Sequence, residues 1–321
     1  MIHVHSTYSD GQLPVETIAR IADAQQLEYL IFTDHDTLQA KRDDKEGRHG
    51  KTLVLIGEEI STSGGHYLAL RVPHEVPGHL DSQWTIEAVS ARGGLGFIAH
   101  PFWSRRPWLD PNVHGFTGLE IYNAADGITR HPVFWLGLWT IFTGSEFSIT
   151  QWLDRPADAL ALWDRYLAGG ERVVGIGAAD AHGLKRFGLR LGPYATLFKF
   201  IRTHLLVREI SESAIYEALQ SGHAFAAHDI VADSRGFTFL VARRDSVEGI
   251  MGDRVKRRRG LQLYVYLPSP GVIEVWKDGR VVTRAKGQHL WLDAPETGVY
   301  RVEATREGKP WIYSNPIYVV E

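Results

Sequence analysis

Short apolar runs alternate with amphipathic stretches through the first 234 positions of the chain. Helical spacing of apolar residues predicts helices at 14–26, with Pro14 near the start, and at 156–167, ending at Gly169-Gly170. Alternating strands and helices are typical of parallel βα units, and this many units predict a closed barrel. The apolar runs predict buried strands at Ile2–Ser6, Tyr29–Thr33, Thr52–Ile60, Tyr67–Val72, Leu95–Ala99, Leu119–Tyr122, Val173–Ala178 and Leu205–Val207.

Beyond Gly236 the pattern changes to short runs separated by turn signals such as Lys277-Asp278-Gly279. About seven short strands in roughly 85 residues are typical of a small β-sandwich. We therefore predict an α/β barrel domain over 1–234 and a small all-β, sandwich-like domain over 235–321. The predicted strands of the second domain are Phe237–Val241, Leu261–Tyr266, Val272–Trp276, Val281–Thr283, Leu290–Leu292, Val299–Ala304 and Ile312–Val320.

The composition excludes several classes of protein. The chain has 321 residues, with 35 basic and 38 acidic ones, and its net charge of −3 gives no electrostatic footprint for nucleic acid. It has no cysteine, which excludes disulfides, thiolate metal sites and a cysteine nucleophile. The most apolar run, Pro132–Phe142, is about half of the roughly 20 residues that cross a bilayer, so we expect no membrane span. Because the opening residues also lack the features of a signal peptide, we expect a cytoplasmic protein.

Histidine is the residue type that points to chemistry. Fourteen of the fifteen histidines lie at or before His228. His3 and His5 share one face of the first predicted strand, and the loop carboxylate of Asp10 can fold back over the same end. The same arrangement recurs along the barrel region, where His or carboxylate residues adjoin predicted strands: Asp34-His35-Asp36, Glu58-Glu59, His66, His100 and Asp180-Ala181-His182. Imidazole and carboxylate without thiolate suit Zn, Mn, Fe or Ni, so we predict a divalent-metal site.

These motifs, taken in order, resemble the PHP superfamily, named for polymerase and histidinol phosphatase. The resemblance covers about residues 1–230. Two further segments, at 118–123 and 311–316, look closest to the carbaryl-hydrolase-like branch of that superfamily. The motifs are His3-Val4-His5-Ser6, Ser9-Asp10-Gly11, Thr33-Asp34-His35-Asp36, Gly57-Glu58-Glu59-Ile60-Ser61, His66, Ala99-His100-Pro101 and Asp180-Ala181-His182.

The resemblance implies a distorted (β/α)7 barrel with two or three divalent metal ions at its mouth. It places His3, His5, Glu59 and Asp180 on the first ion. Glu59 bridges to a second ion that His66 and His100 complete, and Asp10, His35 and His182 hold a third. Glu58 is an alternative bridge, but the Gly-x-Glu spacing of the family selects Glu59. Adjacent positions of a strand face opposite sides, so only one of the two glutamates faces the mouth.

The predicted chemistry is metal-dependent hydrolysis of a small-molecule substrate. Two ions that share a carboxylate lower the pKa of a shared water enough to supply hydroxide near neutral pH, and the chain has no Gly-x-Ser-x-Gly nucleophile motif. Asp180 or His182 is the candidate proton relay. The candidate substrate contacts follow strand ends: Arg105, Arg106, Asn123, Lys185, Arg186 and Arg190.

Cations on the rim favour a phosphomono- or diester as the substrate. The branch resemblance supports a carbamate, ester or amide hydrolase instead, and a catalytically silent metal-binding module is the alternative of another class. The aromatic segment 131–152 is open to three interpretations, as a core helix, a cover over the mouth, or a subunit interface that makes a homo-oligomer.

Overall fold

The computed structural model describes residues 1–124, 150–151, 153–183, 185–186, 189–190, 193–244, 246–293 and 295–321. For 185–186 and 189–190 it describes only the backbone. The helices are α1 (Val15–Ala24), α2 (Gln39–Arg42), α3 (Ser82–Ala91), α4 (Ala157–Ala168), α5 (Tyr194–Phe200) and α6 (Glu212–Ser221). None of the described helices combines the length and the apolar character that a membrane crossing requires.

A curled, mixed sheet forms the N-terminal part of the fold. Its hydrogen-bonded order is β1-β3-β4-β5-β6-β7, with β2 added antiparallel to β3. The pairs β1–β3, β5–β6 and β6–β7 are parallel, whereas β4 runs antiparallel to both β3 and β5. The strands are β1 (Tyr29–His35), β2 (Gly47–His49), β3 (Thr52–Thr62), β4 (Gly65–Leu70), β5 (Leu95–Ile98), β6 (Gly118–Asn123) and β7 (Val174–Ala178).

The first residues of the chain lie between the two edges of this sheet. On one side, the backbone N–H groups of Ile31 and Thr33 in β1 donate to the carbonyls of Met1 and Val4. On the other side, the N–H of Ala179 donates to the carbonyl of Ile2, and the N–H of His5 donates to the carbonyl of Ala181. The segment 1–5 therefore connects β1 to the end of β7, and the sheet curls around a shared interior.

The predicted α/β class is confirmed, but a regular (β/α)7 barrel is not. The departure lies at Ser63-Gly64, where a tight hairpin joins β3 to β4. A hairpin reverses the chain, whereas a helical crossover keeps two strands parallel. Because β4 is reversed, its first residues lie at the sheet edge where the parallel strands end. This is why His66, at the start of a strand, reaches the same edge as residues that follow strand ends.

The core of this region is built from helix faces that pack on the sheet. Helix α6 is bounded by a Ser211 side chain that accepts from the N–H of Ala214 and by Gly222 at φ +76°. Its buried face includes Ile215 and Leu219, which belong to one apolar cluster with strand residues of the sheet. Helix α6 thus packs against the strands whose ends form the sheet edge.

A second sheet of ten strands contains the C-terminal region, so the predicted β-rich C-terminus is confirmed. Its main path is β10-β11-β18-β17-β15-β12-β13. The small hairpin β8 (Lys185–Arg186) and β9 (Leu189–Arg190) stands apart. The ten strands are β10 (Arg202–Leu205), β11 (Ala224–Ala227), β12 (Thr238–Arg243), β13 (Ser246–Ile250), β14 (Arg254–Lys256), β15 (Leu261–Lys277), β16 (Arg280–Asp293), β17 (Gly298–Arg306), β18 (Lys309–Ser314) and β19 (Ile317–Val320).

Four of the predicted short strands are two long ones, because 261–266 and 272–276 both belong to β15, and 281–283 and 290–292 both belong to β16. Pro268 and Pro270 interrupt the sequence pattern, but the β15–β16 pairing absorbs the interruption as a register shift between Tyr266 and Gly271. Strands β10 and β11 join β18, so this sheet begins before residue 235. The division into 1–234 and 235–321 stays a prediction.

Candidate metal centre

The side chain of Glu59, in the second half of β3, lies at the centre of a cluster of imidazoles. Its Oε2 is 3.1 Å from Nε2 of His3, 3.2 Å from Nε2 of His5 and 3.1 Å from Nδ1 of His35. Its Oε1 is 2.8 Å from Nδ1 of His66 and 3.0 Å from Nε2 of His100. One carboxylate therefore separates two sets of imidazoles, three facing one oxygen and two facing the other.

The neighbouring glutamate faces away from this cluster. Oε1 of Glu58 accepts a 2.8 Å hydrogen bond from the backbone N–H of Val76. Burial raises the pKa of Glu58 to about 8, so that its side chain is mostly neutral at pH 7. Of the two candidate bridges, Glu59 is the one that the strand turns toward the histidines.

Two aspartates complete the cluster. Oδ1 of Asp180 is 3.5 Å from Nε2 of His3 and 3.4 Å from both Nε2 of His5 and Nδ1 of His182. Oδ1 of Asp10 lies 3.2 Å from Nε2 of His182, and its Oδ2 lies 3.8 Å from Nε2 of His35. All nine side chains predicted as metal ligands are thus brought to one place. They form four overlapping groups whose donor atoms lie within 4.8 Å of one another.

The innermost donor atoms have no hydrogen-bond partner in the described part of the chain. These buried atoms are Nε2 of His3, Nε2 of His5 and Oε2 of Glu59. A buried polar atom without a partner costs stability, and three of them converge here. Their nitrogen and oxygen donors match the ligands that divalent transition metals prefer, so these residues fit a bound ion.

The charges of the cluster also fit a cation. Glu59, Glu120 and Asp180 are buried, and in the described ranges their ion-pair partners are histidines, with no lysine or arginine among them. Burial disfavours the charged forms of both the histidines and the carboxylates, yet their mutual attraction outweighs this effect and favours both charged forms. It lowers the pKa of Glu59 and of Asp180 and raises the pKa of His3 and His100. Without metal, the carboxylates are therefore neutralised by protons held on histidine.

The balance between burial and attraction to neighbouring charges shifts the pKa differently at each residue. Burial lowers the pKa of His5, but the nearby carboxylates of Asp180 and Glu59 raise it to about 9. Burial raises the pKa of Asp10, but its contact with His182 holds it at about 2. For His35 burial prevails and lowers the pKa. The deep and shallow parts of the cluster thus hold protons with different strength.

Backbone conformation and loop packing help to position the ligands. His3, His100 and Asp180 have φ values of +64°, +26° and +49°, a region that residues other than glycine rarely adopt. The loop after β-segment 1–5 depends on Gly11, since a Cβ there would overlap the backbone oxygen of His5. That close return of the chain places Asp10 over the end of the segment.

Several supporting residues were not predicted from the sequence. Asp34 accepts from the N–H and hydroxyl of Ser6 and from the hydroxyl of Ser9. Glu120 lies 2.5 Å from Nδ1 of His3, and Trp103 packs edge-on against His100 with ring centroids 5.1 Å apart. The sequence carries a signal for each, because Asp34 directly follows the predicted strand Tyr29–Thr33 within a motif, and Glu120 is a carboxylate inside an apolar strand.

The predicted substrate contacts are only partly described. Arg105 is exposed and Arg106 half-buried in the loop that follows His100. Asn123 is buried at the end of β6, where its amide donates 2.8 Å to Oε2 of Glu120. The side chains of Lys185, Arg186 and Arg190 lie outside the description, as does the aromatic segment 131–152 apart from residues 150–151. Their predicted roles stay predictions.

Comparisons with known proteins give distant similarities. No protein-family model matches the chain. The uncharacterized protein MJ1587 of Methanocaldococcus jannaschii is 27% identical over 146 residues, which are 40% of this chain and 85% of that protein. A two-domain protein from Bacteroides vulgatus, described as containing a predicted PHP-like metal-dependent phosphoesterase, is 16% identical with a TM-score of 0.45, covering 98% of this chain and 93% of that one. An amidohydrolase from Chromobacterium violaceum is 14% identical with a TM-score of 0.36, covering 56% and 86%. The function therefore rests on the geometry of the site itself.

Proposed function

We propose that the protein is a PHP-type metal-dependent hydrolase that acts on a small-molecule phosphomono- or diester. The observation that carries the proposal is the convergence of three buried donor atoms without hydrogen-bond partners in the described residues, on His3, His5 and Glu59. The second oxygen of Glu59 faces two more imidazoles. A carboxylate between two sets of imidazole nitrogens suits a shared ligand of two cations.

Two or three divalent ions fit the nine side chains, and Zn, Mn, Fe or Ni suits their donor types. His3, His5, Glu59 and Asp180 would hold the first ion, and Glu59, His66 and His100 the second. Asp10, His35 and His182 would hold the third. Bound ions supply a water of lowered pKa and stabilise negative charge that develops on the substrate.

The remaining steps belong to side chains of the chain itself. His182 is half-buried, with Nδ1 3.4 Å from Asp180 and Nε2 3.2 Å from Asp10. Asp180 would hold the ring through Nδ1, and Nε2, when it is not bound to the third ion, could exchange a proton with a leaving group. The burial of His3, His5 and Glu59 excludes bulk water from the inner face, which strengthens electrostatic interactions there.

The choice of a phosphoester rests on the rim. Neither Arg105 nor Arg106 forms an ion pair within the described ranges, and a guanidinium suits the paired oxygens of a phosphate. Lys185 and Arg190 are further candidates on the same grounds. A carbamate or aryl-ester hydrolase is the second candidate, because Trp103 and the partly exposed Phe102 offer an apolar surface next to His100.

The test combines metal analysis with a substrate screen. The protein is loaded with Zn²⁺, Mn²⁺, Fe²⁺ or Ni²⁺, the ions per chain are counted, and p-nitrophenyl phosphate, bis-p-nitrophenyl phosphate, p-nitrophenyl acetate and an aryl N-methylcarbamate are supplied. We expect phosphoester hydrolysis that chelation removes and metal restores, and that His100→Ala abolishes while the control His289→Ala does not. Hydrolysis of only the carbonyl substrates favours the second candidate. Bound metal without hydrolysis of any of them favours the silent module.

A further inference from the structure

Glu120 is a buried carboxylate that contacts His3 and His100 but is not among the nine predicted ligands. It lies inside β6, and its side chain contacts three groups. Oε1 is 2.5 Å from Nδ1 of His3. Oε2 accepts from the backbone N–H of His100 at 2.7 Å and from the amide of Asn123 at 2.8 Å.

The contact with His3 fixes which ring nitrogen carries a hydrogen. A carboxylate oxygen accepts hydrogen bonds, so Nδ1 of His3 keeps its hydrogen, and Nε2 is the nitrogen that would give up its proton to bind an ion. That Nε2 faces Glu59 at 3.1 Å and has no hydrogen-bond partner in the described residues. Glu120 thus turns the metal-binding nitrogen of His3 toward the interior.

The contact with His100 acts on the backbone. His100 has φ +26°, an unfavourable conformation that needs support from its surroundings. The hydrogen bond from its N–H to Glu120 supplies that support within the sheet. His100 then reaches Oε1 of Glu59, whereas His3 reaches Oε2 of the same carboxylate.

We propose that Glu120 is a positioning residue that aligns ligands on both sides of Glu59. One of its oxygens orients the ring of His3, and the other holds the backbone of His100. A single side chain therefore positions one ligand facing each oxygen of Glu59. Asn123, predicted as a substrate contact, orients Glu120 in this arrangement. The inference rests on the proposed metal centre, but not on its substrate or on hydrolysis.

The test is the substitution Glu120→Gln, with Glu58→Gln as the matched control. Glutamine has the same shape, but its amide presents a donor to either His3 or His100, both of which already donate. Glu58 is an equally buried glutamate near the site that bonds to Val76 instead. We expect Glu120→Gln to bind Co²⁺ about 10- to 100-fold more weakly, and its Co²⁺ absorption spectrum to change, while Glu58→Gln matches the wild type.

A second measurement requires no variant. Long-range ¹H–¹⁵N spectra of the wild-type protein loaded with Zn²⁺ report which nitrogen of His3 is protonated, and we expect Nδ1–H. The inference is overturned by an Nε2–H tautomer, or by a folded Glu120→Gln with wild-type Co²⁺ affinity and spectrum. Wild-type protein that takes up Co²⁺ but hydrolyses nothing overturns the proposed function alone. Wild-type protein that takes up no Co²⁺ overturns both.

Discussion

The candidate metal centre has two halves that are built from the same kinds of side chain at different depths. The buried half consists of His3, His5, Glu59, His66, His100 and Asp180, and the rim half consists of Asp10, His35 and His182. Side chains of the buried half are at most 7% exposed, whereas those of the rim half are 58%, 27% and 16% exposed. Because the donor types are the same in both halves, any difference in how firmly they hold an ion would come from depth.

Depth decides what each half needs from the rest of the fold. In the buried half, a bound ion would replace protons that otherwise neutralise carboxylates in a medium of low dielectric constant. Its ligands also have outer partners, as His3 has in Glu120. The rim half is open to water, which can solvate Asp10 and screen its charge. We therefore expect tight binding in the first half and exchange with solution in the second.

The largest effect is expected for Glu59→Gln, which removes the charge at the centre of the buried half. Five imidazoles lose their common carboxylate, so both ions that Glu59 would share are bound weakly. We expect a loss of at least about 4 kcal/mol of transition-state stabilisation, or about 10³-fold in kcat/KM. Ions per chain and hydrolysis rate are both measured, with Glu58→Gln as the control. Equal losses of bound ions and of hydrolysis rate in the two variants would contradict a specific role for Glu59, because any change in β3 would then disturb the site.

The proton held by His5 in the buried half should make the stability of the metal-free protein depend on pH. In the metal-free protein the pKa of His5 is about 9, above its ordinary value of 6.5. A raised pKa stabilises the fold fully below pH 6.5, and this contribution is lost as the pH rises through 9. Metal-free protein should therefore lose on the order of 3 kcal/mol between pH 6.5 and 9.

Metal-loaded protein should show the opposite trend, because ions displace the protons and bind more tightly as pH rises. Urea unfolding at several pH values, with and without Zn²⁺, measures both curves. His5→Gln removes the raised group and should flatten the metal-free curve. Parallel curves for the loaded and metal-free forms would show that the cluster does not exchange protons for metal.

Most of the site could be predicted because its ligands have a recurring position. Several of the nine adjoin the end or start of a strand, as His35, His66 and Asp180 do, and strand ends meet at one edge of the sheet. Glu120 could not be found this way, since its role depends on facing His3, which is 117 positions away in the chain. The reversal of β4 was also missed, because an apolar run has the same pattern in either direction.

The C-terminal region shows the complementary limit. Its β-rich character follows from short alternating runs, but the number of strands depends on whether pairing continues through an irregular segment. Pro268 and Pro270 look like a break in the sequence, and yet β15 continues past both. Pairing with β16 on both sides of the two prolines decides this, and the pattern of β15 alone does not reveal that pairing.

A smaller effect is expected for Asp10→Asn, which acts on the rim half alone. The amide keeps the size of the side chain but not its charge. Loss of a residue that only hydrogen-bonds to a metal ligand weakens metal binding by about tenfold or more, so loss of the ligand charge itself should weaken the outermost ion by at least about tenfold. The buried half should keep its ions. Ions per chain after mild chelation are counted for the variant and for Asp293→Asn, an exposed control in the second sheet. Loss of every ion from Asp10→Asn would mean that the two halves are one cooperative unit.

The smallest effect is expected for Arg106→Ala, which leaves both halves intact and removes one positive charge from the loop that follows His100. A solvent-accessible guanidinium contributes about 1 kcal/mol to an anion in water, so KM for a phosphoester should rise roughly threefold to tenfold with little change in kcat. KM for an uncharged aryl ester should not change, because it offers no anionic oxygen for the arginine. Arg258→Ala, remote in sequence, serves as the control for loss of one positive charge. An equal rise in KM for both substrates would contradict the inference that Arg106 recognises phosphate. It would not affect the proposed metal centre.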